Sequence, residues 1–138
     1  MIPIFADTSY YLALTNPRDR LHVVARDFSR NYRGLMVTTE YVLVELGNFM
    51  RRGNDREMYL SLVNQLSSNP RMRIVPAGKE FYDQALGVFA SRPDKSWSLT
   101  DCASFVVMRQ LGVTRALTAD HHFEQAGFQP ILAPAGPD

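Results

Sequence analysis

Two aspartates in this sequence each stand just after a short apolar segment that is typical of a buried β-strand. Asp7 follows Ile2-Pro3-Ile4-Phe5-Ala6, and Asp120 comes soon after Arg115-Ala116-Leu117-Thr118. If these two strands are parallel, both carboxylates leave the sheet at the same edge, which is where open α/β sheets bind their ligands. The pattern therefore predicts two acidic side chains at one rim of a sheet.

Two further carboxylates lie on predicted helices that could return to that rim. Asp101 stands three residues after Ser98, and this pair suits the N-cap and the first turn of a helix. Glu45 lies among apolar residues at helical spacing, so we expect it on or beside the buried stripe of its helix. Glu40, in the first turn of the same helix, is better explained as a solvated residue that the helix dipole favours.

Four carboxylates brought together would have a definite chemistry. Two like charges about 4 Å apart repel by roughly 4 kcal/mol at an effective dielectric of about 20. Each would raise the pKa of the others unless a cation neutralised them. Oxygen ligands favour Mg²⁺ or Mn²⁺ over zinc. One or two such ions could activate a water and stabilise the leaving oxygen of a phosphodiester.

The elements that must position these carboxylates alternate along the chain. Short apolar runs predict strands and helical spacings predict the helices between them. The sequence thus indicates an α/β three-layer sandwich with a mostly parallel sheet of about five strands. One predicted helix runs from 39 to about 52, with Gly53-Asn54 as its stop signal, and the next spans about 55–66. The length suits one domain over residues 1–132 and a flexible tail over 133–138.

Composition limits the class of protein. A net charge of +1 argues against a nucleic-acid footprint over the whole molecule. No apolar run approaches the ~20 residues that a membrane span requires, and no signal-peptide pattern is present. The single cysteine, Cys102, excludes an internal disulfide, fits the cytoplasm, and is expected to be a small buried residue.

Each aspartate also has an ordinary structural explanation when it is taken alone. Asp7 could be a turn residue at a strand end, and Asp101 could complete a capping box. Asp120 could cap the helix that follows it. Glu45 is different, because a partly buried glutamate without an arginine or lysine on its helix face is costly. The order of all four, rather than any single residue, favours a functional cluster.

The chain resembles the PIN-domain ribonucleases, and most closely the VapC-like toxins of bacterial and archaeal toxin–antitoxin pairs. The resemblance covers nearly the full length. It depends on four motifs in order, which are Phe5-Ala6-Asp7-Thr8-Ser9, Val44-Glu45-Leu46, Leu99-Thr100-Asp101-Cys102 and Leu117-Thr118-Ala119-Asp120. It implies a five-stranded parallel sheet and cleavage of RNA that depends on Mg²⁺ or Mn²⁺.

The resemblance also implies roles for individual residues. The acidic quartet that holds the metal would be Asp7, Glu45, Asp101 and Asp120. The hydroxyls that orient carboxylates or metal-bound water would be those of Thr8 or Ser9, Thr100 and Thr118. Many relatives carry a further acid or amide shortly after the last aspartate, where this chain has His121-His122. We expect an exposed histidine pair at the start of a short helix there, with neither ring as a metal ligand.

The function expected on these grounds is that of a cytoplasmic, metal-dependent endoribonuclease, the toxin of a type II toxin–antitoxin pair. Its products should carry a 5′-phosphate and a 3′-hydroxyl. By resemblance, its partner is a small antitoxin whose C-terminal segment lies over the acidic site, and the toxin forms a homodimer. The predicted helices 39–50 and 55–66 are the candidate docking groove.

Two other functions stay open at this point. One is a non-catalytic PIN-like scaffold that binds RNA or protein, and the other is a metal-dependent phosphohydrolase of small phosphate esters. The quartet weighs against the scaffold, because a binding module has no reason to gather carboxylates that repel each other. The small size of the chain weighs against the phosphohydrolase, because no segment is available to form a substrate pocket.

Overall fold

Five short parallel strands form one sheet in the computed structural model, which describes residues 1–133. The strands are β1 (Ile4–Ala6), β2 (Met36–Thr39), β3 (Met72–Val75), β4 (Arg115–Leu117) and β5 (Gln129–Pro130). Their order across the sheet is β3-β2-β1-β4-β5, and each neighbouring pair is parallel. Because the order turns back at β1, right-handed crossovers place helices on both faces of the sheet. The predicted α/β fold with a five-stranded parallel sheet is confirmed.

Helices occupy the connections between these strands. In residues 1–133 they are α1 (Thr8–Thr15), α2 (His22–Asn31), α3 (Glu40–Phe49), α4 (Gly53–Ser68), α5 (Lys79–Ser91), α6 (Leu99–Leu111) and α7 (His121–Gln125). Capping residues mark the start of α3 and the end of α6. Thr39 Oγ1 accepts a hydrogen bond from the Val42 amide at 3.1 Å, and Gly112 ends α6 with a φ of +66°.

The boundary between α3 and α4 differs from the prediction. The helix predicted to reach residue 52 ends at Phe49, and the expected stop signal at Gly53 is instead the first residue of the next helix. Gly53 has a φ of +56°, a left-handed conformation that glycine adopts without strain. The chain therefore turns between α3 and α4, as expected. The turn lies before Gly53, which is the first residue of α4.

An aromatic cluster fixes α6 and α7 against the centre of the sheet. The ring of Phe105 on α6 lies 5.0 Å from that of Phe123 on α7 and 5.0 Å from that of Trp97. Phe123 in turn lies 6.2 Å from Phe5 on β1. Such tilted and edge-to-face pairs add about 0.5–1.5 kcal/mol each beyond their buried area. The neighbouring Cys102 is fully buried, as predicted.

Two expectations, on membrane spans and on the C-terminal tail, can be compared only with residues 1–133. No helix within residues 1–133 is long and apolar enough to cross a membrane. The predicted flexible tail over 133–138 lies outside the described residues from 134 onward.

Two glycines provide a test of this fold that is independent of the site. Replacing Gly112 by alanine should lower the free energy of unfolding by about 1 kcal/mol, because its left-handed conformation strains any residue with a Cβ. Replacing Gly87, which is exposed in the interior of α5, should raise it by about 0.5–1 kcal/mol. Urea denaturation of both variants measures the difference, and effects of the same sign would contradict the assigned α6 terminus.

Candidate active site

The ends of β1 and β4 lie side by side and place two polar residues in direct contact. Ala6 pairs with Leu117 in the sheet, and the amide of Asp7 donates to the Leu117 carbonyl at 3.3 Å. One residue further on, Thr118 Oγ1 donates to Asp7 Oδ2 at 2.9 Å. Both side chains are buried, with Asp7 6% exposed. The sheet itself therefore sets the position of the Asp7 carboxylate.

Thr118 connects this carboxylate to the next acidic residue. Its Oγ1 also accepts a hydrogen bond from the amide of Asp120 at 3.0 Å. Ser9 Oγ donates to Asp7 Oδ2 at 3.2 Å and lies 3.2 Å from Thr118 Oγ1. Asp7, Ser9, Thr118 and the start of α7 thus share one hydrogen-bonded network at the carboxyl edge of the sheet.

The third aspartate reaches the same region from α6. Ser98 Oγ accepts from the Asp101 amide and Asp101 Oδ2 accepts from the Ser98 amide, both at 3.0 Å, which completes a capping box. His122 then joins Asp101 to Asp120. Its Nδ1 lies 3.2 Å from Asp101 Oδ2 and 3.3 Å from Asp120 Oδ1.

The expectation of an exposed histidine pair is wrong for one of its two members. The His121 side chain is 71% exposed, whereas that of His122 is only 18% exposed. Packing explains the difference, because Phe123 is fully buried in the aromatic cluster and holds the one-turn helix α7 against α6. The sequence signal that could have indicated the burial of His122 is the phenylalanine directly after the pair, because a large apolar residue in a one-turn helix is expected to face the core.

Burial and like charge dominate the electrostatics of the aspartates. Burial, with a smaller contribution from the charge of Asp101, raises the pKa of Asp7 to about 7, although the hydrogen bond from Thr118 opposes the shift. Burial also raises the pKa of Asp101, and the nearby charge of Asp120 adds to this effect. Ser98 and His122 act in the opposite direction on Asp101. Within residues 1–133 no lysine or arginine forms an ion pair with these carboxylates.

These features fit a divalent cation. The site offers carboxylate oxygens from three elements, the carboxyls are buried or half-buried, and no lysine or arginine of the described chain neutralises them. A cation would remove the repulsion that disfavours their ionised forms. In residues 1–133 the potential ligand atoms that all lie within 4.8 Å of one another belong to Asp120, His121 and His122. The carboxylate oxygens of Asp7 and Asp101 lie outside that group and are of the type that hard divalent ions prefer.

The two glutamates of α3 differ, as the sequence indicates. Glu45 is half-buried and has no hydrogen bond or ion pair within the described chain. Its helix, α3, packs against α1 and α6. Those are the helices that follow Asp7 and carry Asp101. Glu40 is exposed and accepts a hydrogen bond from the Ala77 amide at 2.6 Å. The structure does not bring Glu45 into hydrogen-bond contact with the aspartates, so its place in the quartet stays a prediction.

Some of the candidate hydroxyl residues contact an aspartate side chain and others do not. Thr118 and Ser9 contact Asp7 directly. Thr8 is buried, but its Oγ1 has no hydrogen-bond partner in the part of the chain that the structure describes. Thr100 is half-buried in the first turn of α6, and its backbone carbonyl accepts from Ser104 Oγ at 2.9 Å. Thr8 therefore leaves a polar atom without a partner beside the cluster.

The structural explanations of single aspartates are partly correct. Asp101 completes a capping box, and Asp120 caps α7 by accepting from the His122 amide at 2.9 Å. Asp7 occupies the N-cap position of α1, yet its side chain makes no capping hydrogen bond. Its carboxylate is held by Thr118 and Ser9 instead, so helix capping does not account for this buried charge.

Comparison with known proteins gives a consistent result. Residues 4–129 match the PIN domain family. The 23S rRNA-specific endonuclease VapC20 of Mycobacterium tuberculosis is 32% identical over 129 residues, which cover 93% of this chain and 97% of that protein.

Two solved structures share the fold. The crystal structure of Mycobacterium tuberculosis VapC20, described as a sarcin–ricin loop cleaving toxin, has a TM-score of 0.83 at 25% identity. That match covers 93% of this chain and 98% of VapC20. FitAcB from Neisseria gonorrhoeae has a TM-score of 0.60 at 18% identity, over 95% of this chain and 97% of that one.

The raised pKa of Asp7 predicts how stability depends on pH in the absence of metal. The folded carboxyl keeps its proton up to about pH 7, whereas the unfolded one loses it near 3.8. The free energy of unfolding should therefore fall as pH rises from 4 to 7, by up to ~4 kcal/mol from this group. Asp7→Asn should remove most of that slope, as measured by urea denaturation in EDTA at pH 4.5, 6 and 8.

The exposed Asp55 provides the matched control for this measurement. Asp55→Asn removes a carboxylate of the same type from the first turn of α4, and it should leave the slope between pH 4.5 and 8 unchanged. Equal slopes for the wild type and Asp7→Asn would contradict the description of Asp7 as a buried, destabilised carboxylate.

Proposed function

The chain belongs to the PIN-domain family, and from this membership we propose that it is an endoribonuclease, the toxin of a type II toxin–antitoxin pair. The observation that carries the proposal is the group of three aspartates, Asp7, Asp101 and Asp120, at the carboxyl edge of β1 and β4. The 32% identity to an RNA endonuclease over nearly the full chain supports it.

The proposed cofactor is Mg²⁺ or Mn²⁺. The residues that would hold it are Asp7, Asp101 and Asp120, with Glu45 from α3. A bound divalent cation supplies a Lewis acid that lowers the pKa of water and offsets the charge on a phosphodiester. The buried negative charge of the cluster supports this assignment, because ionising these carboxyls together without a cation is costly.

The role of the surrounding residues is to fix the carboxylates before substrate arrives. Thr118 and Ser9 hold Asp7, the Ser98 amide holds Asp101, and the His122 amide holds Asp120. Groups that are already in place do not need to reorganise during the reaction, which lowers its barrier. The unpartnered Thr8 hydroxyl is available to bind a water or a phosphate oxygen.

The proposed substrate is a structured RNA, as for the relative that is named a 23S rRNA-specific endonuclease. Proteins recognise such RNA by its shape and by bases that leave a loop, rather than by reading a helix. We take the sarcin–ricin loop, which names the activity of the solved relative, as the first candidate target. The proposed location is the cytoplasm, where ribosomes carry this RNA.

Cleavage by water leaves a characteristic pair of ends. In-line attack on phosphorus gives a 5′-phosphate and a 3′-hydroxyl, and it does not need the ribose 2′-hydroxyl as nucleophile. Products that end in a 2′,3′-cyclic phosphate would rule this mechanism out.

The proposed partners are a small antitoxin and a second copy of the chain. Exposed apolar side chains on α3 and α4 support a docking surface there, and they are Val44, Phe49, Met58 and Leu60. Large apolar residues exposed on neighbouring helices are typical of interaction surfaces. We also propose that residues 1–132 form one domain, because a single core cluster runs from Ile4 to Leu132.

Two glutamates on one helix give a matched test of the proposed centre. Glu45→Gln should lower RNA cleavage by at least about tenfold, because loss of even an indirect metal contact costs about 10–100-fold. Glu40→Gln should leave cleavage unchanged, since Glu40 contacts only a backbone amide in the described chain. The measurement is the cleavage rate of an RNA oligonucleotide with the sarcin–ricin loop sequence in Mn²⁺, for both variants and the wild type.

The same assay separates the proposal from its alternatives. The wild type should cut structured RNA in Mg²⁺ or Mn²⁺, and it should cut neither single-stranded DNA nor a chromogenic phosphate ester at a comparable rate. Hydrolysis of the ester alone would favour a small-molecule phosphohydrolase. Binding of RNA without cleavage in either ion would favour a non-catalytic scaffold.

A further inference from the structure

A cavity of about 560 Å³ lies between the last turn of α5, the loop 92–98 and α6, and we call it the α5–α6 cavity. Its volume falls within the ~300–1,000 Å³ that is typical of small-ligand sites. Phe89, Lys95, Ser96 and Trp97 are among the residues that line it. The three aspartates and the hydroxyls that hold them are not among its lining residues, so the cavity is a separate feature of the molecule.

One imidazole ring separates the wall of this cavity from the carboxylates. Ser96, in the wall, has its Oγ 3.4 Å from His122 Nε2. The other ring nitrogen of His122, Nδ1, lies 3.2 Å from Asp101 Oδ2. An RNA strand whose scissile phosphate lies at the carboxylates would therefore bring a neighbouring nucleotide to the α5–α6 cavity.

Phe89 gives the cavity an aromatic face. The residue is 47% exposed in the last turns of α5 and lies outside the core cluster. Arg92 adds a second planar group, with its guanidinium carbon 5.2 Å from the centre of the Trp97 ring. Bases that leave an RNA loop stack on aromatic rings and on guanidinium planes. The chemistry of the lining therefore suits a nucleobase.

Lys95 supplies a positive charge for a phosphate at the same cavity. The charge of Arg92 is offset by Asp94, which accepts two hydrogen bonds from the guanidinium at 3.0 and 2.9 Å. Lys95 is half-buried and forms no ion pair within residues 1–133. The other lysine of the chain, Lys79, pairs with Asp83 at 2.6 Å. One cation of the cavity is thus left for a ligand.

We propose that the α5–α6 cavity holds a base of the RNA substrate next to the scissile phosphate, stacked on Phe89, with Lys95 on the adjoining phosphate. The inference rests on the proposed function, which supplies RNA as the ligand of the neighbouring carboxylates. Stacking accepts every base because each has a π-face. The cavity should therefore select an unpaired nucleotide beside the cut rather than a particular sequence.

The test measures RNA binding and RNA cleavage separately. Binding of two probes, an unstructured RNA oligonucleotide and one with the sarcin–ricin loop sequence, is titrated in EDTA, which stops metal-dependent cleavage. Trp97 is the only tryptophan of the chain and lines the cavity, so its fluorescence should change when a base enters. Cleavage of the second oligonucleotide in Mn²⁺ gives KM and kcat.

Variants of Phe89 should change binding rather than the chemical step. Phe89→Ala should weaken binding about tenfold and raise KM by a similar factor, with kcat close to that of the wild type. Phe89→Tyr keeps the aromatic ring and should behave as the wild type does. Tyr82→Ala is the matched control, because Tyr82 is an aromatic residue of α5 that is 39% exposed and does not line the cavity.

A change in the RNA identifies the contact. Abasic nucleotides are placed one at a time along the loop of the second oligonucleotide. At one position beside the cut, the loss of the base should weaken wild-type binding about tenfold. The same loss should have no further effect on Phe89→Ala, because both changes remove one contact.

The two lysines test the phosphate contact. Lys95→Gln should reduce the slope of log affinity against log salt concentration by about 0.7, the value for one phosphate of a single strand. Lys79→Gln should leave the slope unchanged, because Lys79 lies outside the cavity and is paired with Asp83.

A second variant guards against loss of folding. Phe89→Leu keeps most of the apolar volume without the ring, and it should weaken binding as Phe89→Ala does. Thermal melts establish which variants fold. The abasic series on the wild type is decisive even if both variants unfold, because the absence of any sensitive position beside the cut would overturn the inference.

The possible results separate this inference from the proposed function. Unchanged binding and KM in Phe89→Ala would overturn the inference and leave the nuclease intact, and a changed oligomeric state of that variant on size-exclusion chromatography would then assign the cavity to a second copy of the chain. Binding with the expected losses, but without cleavage in Mg²⁺ or Mn²⁺, would overturn the proposed function and support the base site. No binding of either RNA to the wild type would overturn both.

Discussion

The hydroxyl of Thr118 is the contact on which the arrangement of the site depends. It donates to Asp7 at the end of β1 and accepts from the amide of Asp120 at the start of α7. A single buried oxygen therefore couples two neighbouring strands and a helix. The pairing of Ala6 with Leu117 brings the two strand ends together, and it follows from the parallel sheet. Any sequence that kept the sheet but lost this hydroxyl would leave Asp7 buried with a weaker set of hydrogen bonds.

Burying these carboxyls costs electrostatic free energy, and this cost suggests that the arrangement serves function rather than stability. Burial raises the pKa of Asp7 and of Asp101, and each carboxylate adds to the repulsion that a neighbour experiences. A protein that needed only helix caps could place Asp101 and Asp120 without burying Asp7 beside them. Burying these carboxyls costs folding free energy, and sequences commonly depart from the most stable choice at functional sites.

Local signals in the sequence predict much of this structure, and long-range packing accounts for what they do not predict. Asp7 and Asp120 follow apolar runs, and parallel pairing then places both at one edge, so this part of the site follows from strand positions alone. The start of α4 at Gly53 depends on backbone geometry that a stop signal does not specify. The burial of His122 depends on Phe123, which packs against residues more than a hundred positions away in the chain. The placement of Glu45 relative to the aspartates depends on how α3 packs on two other helices, which no local pattern encodes.

We propose that Asp7, Asp101 and Asp120 bind a divalent cation, and a thermal melt with and without Mn²⁺ tests this most directly. Without metal, Asp101→Asn should melt at the temperature of the wild type or above it, because the substitution relieves repulsion. A saturating concentration of Mn²⁺, about a hundred times Kd, should stabilise the wild type by about 2.7 kcal/mol, which is a shift of several degrees, and the variant much less. A destabilised variant together with no shift in the wild type, or equal shifts in both proteins, would contradict the claim and make Asp101 a helix cap only.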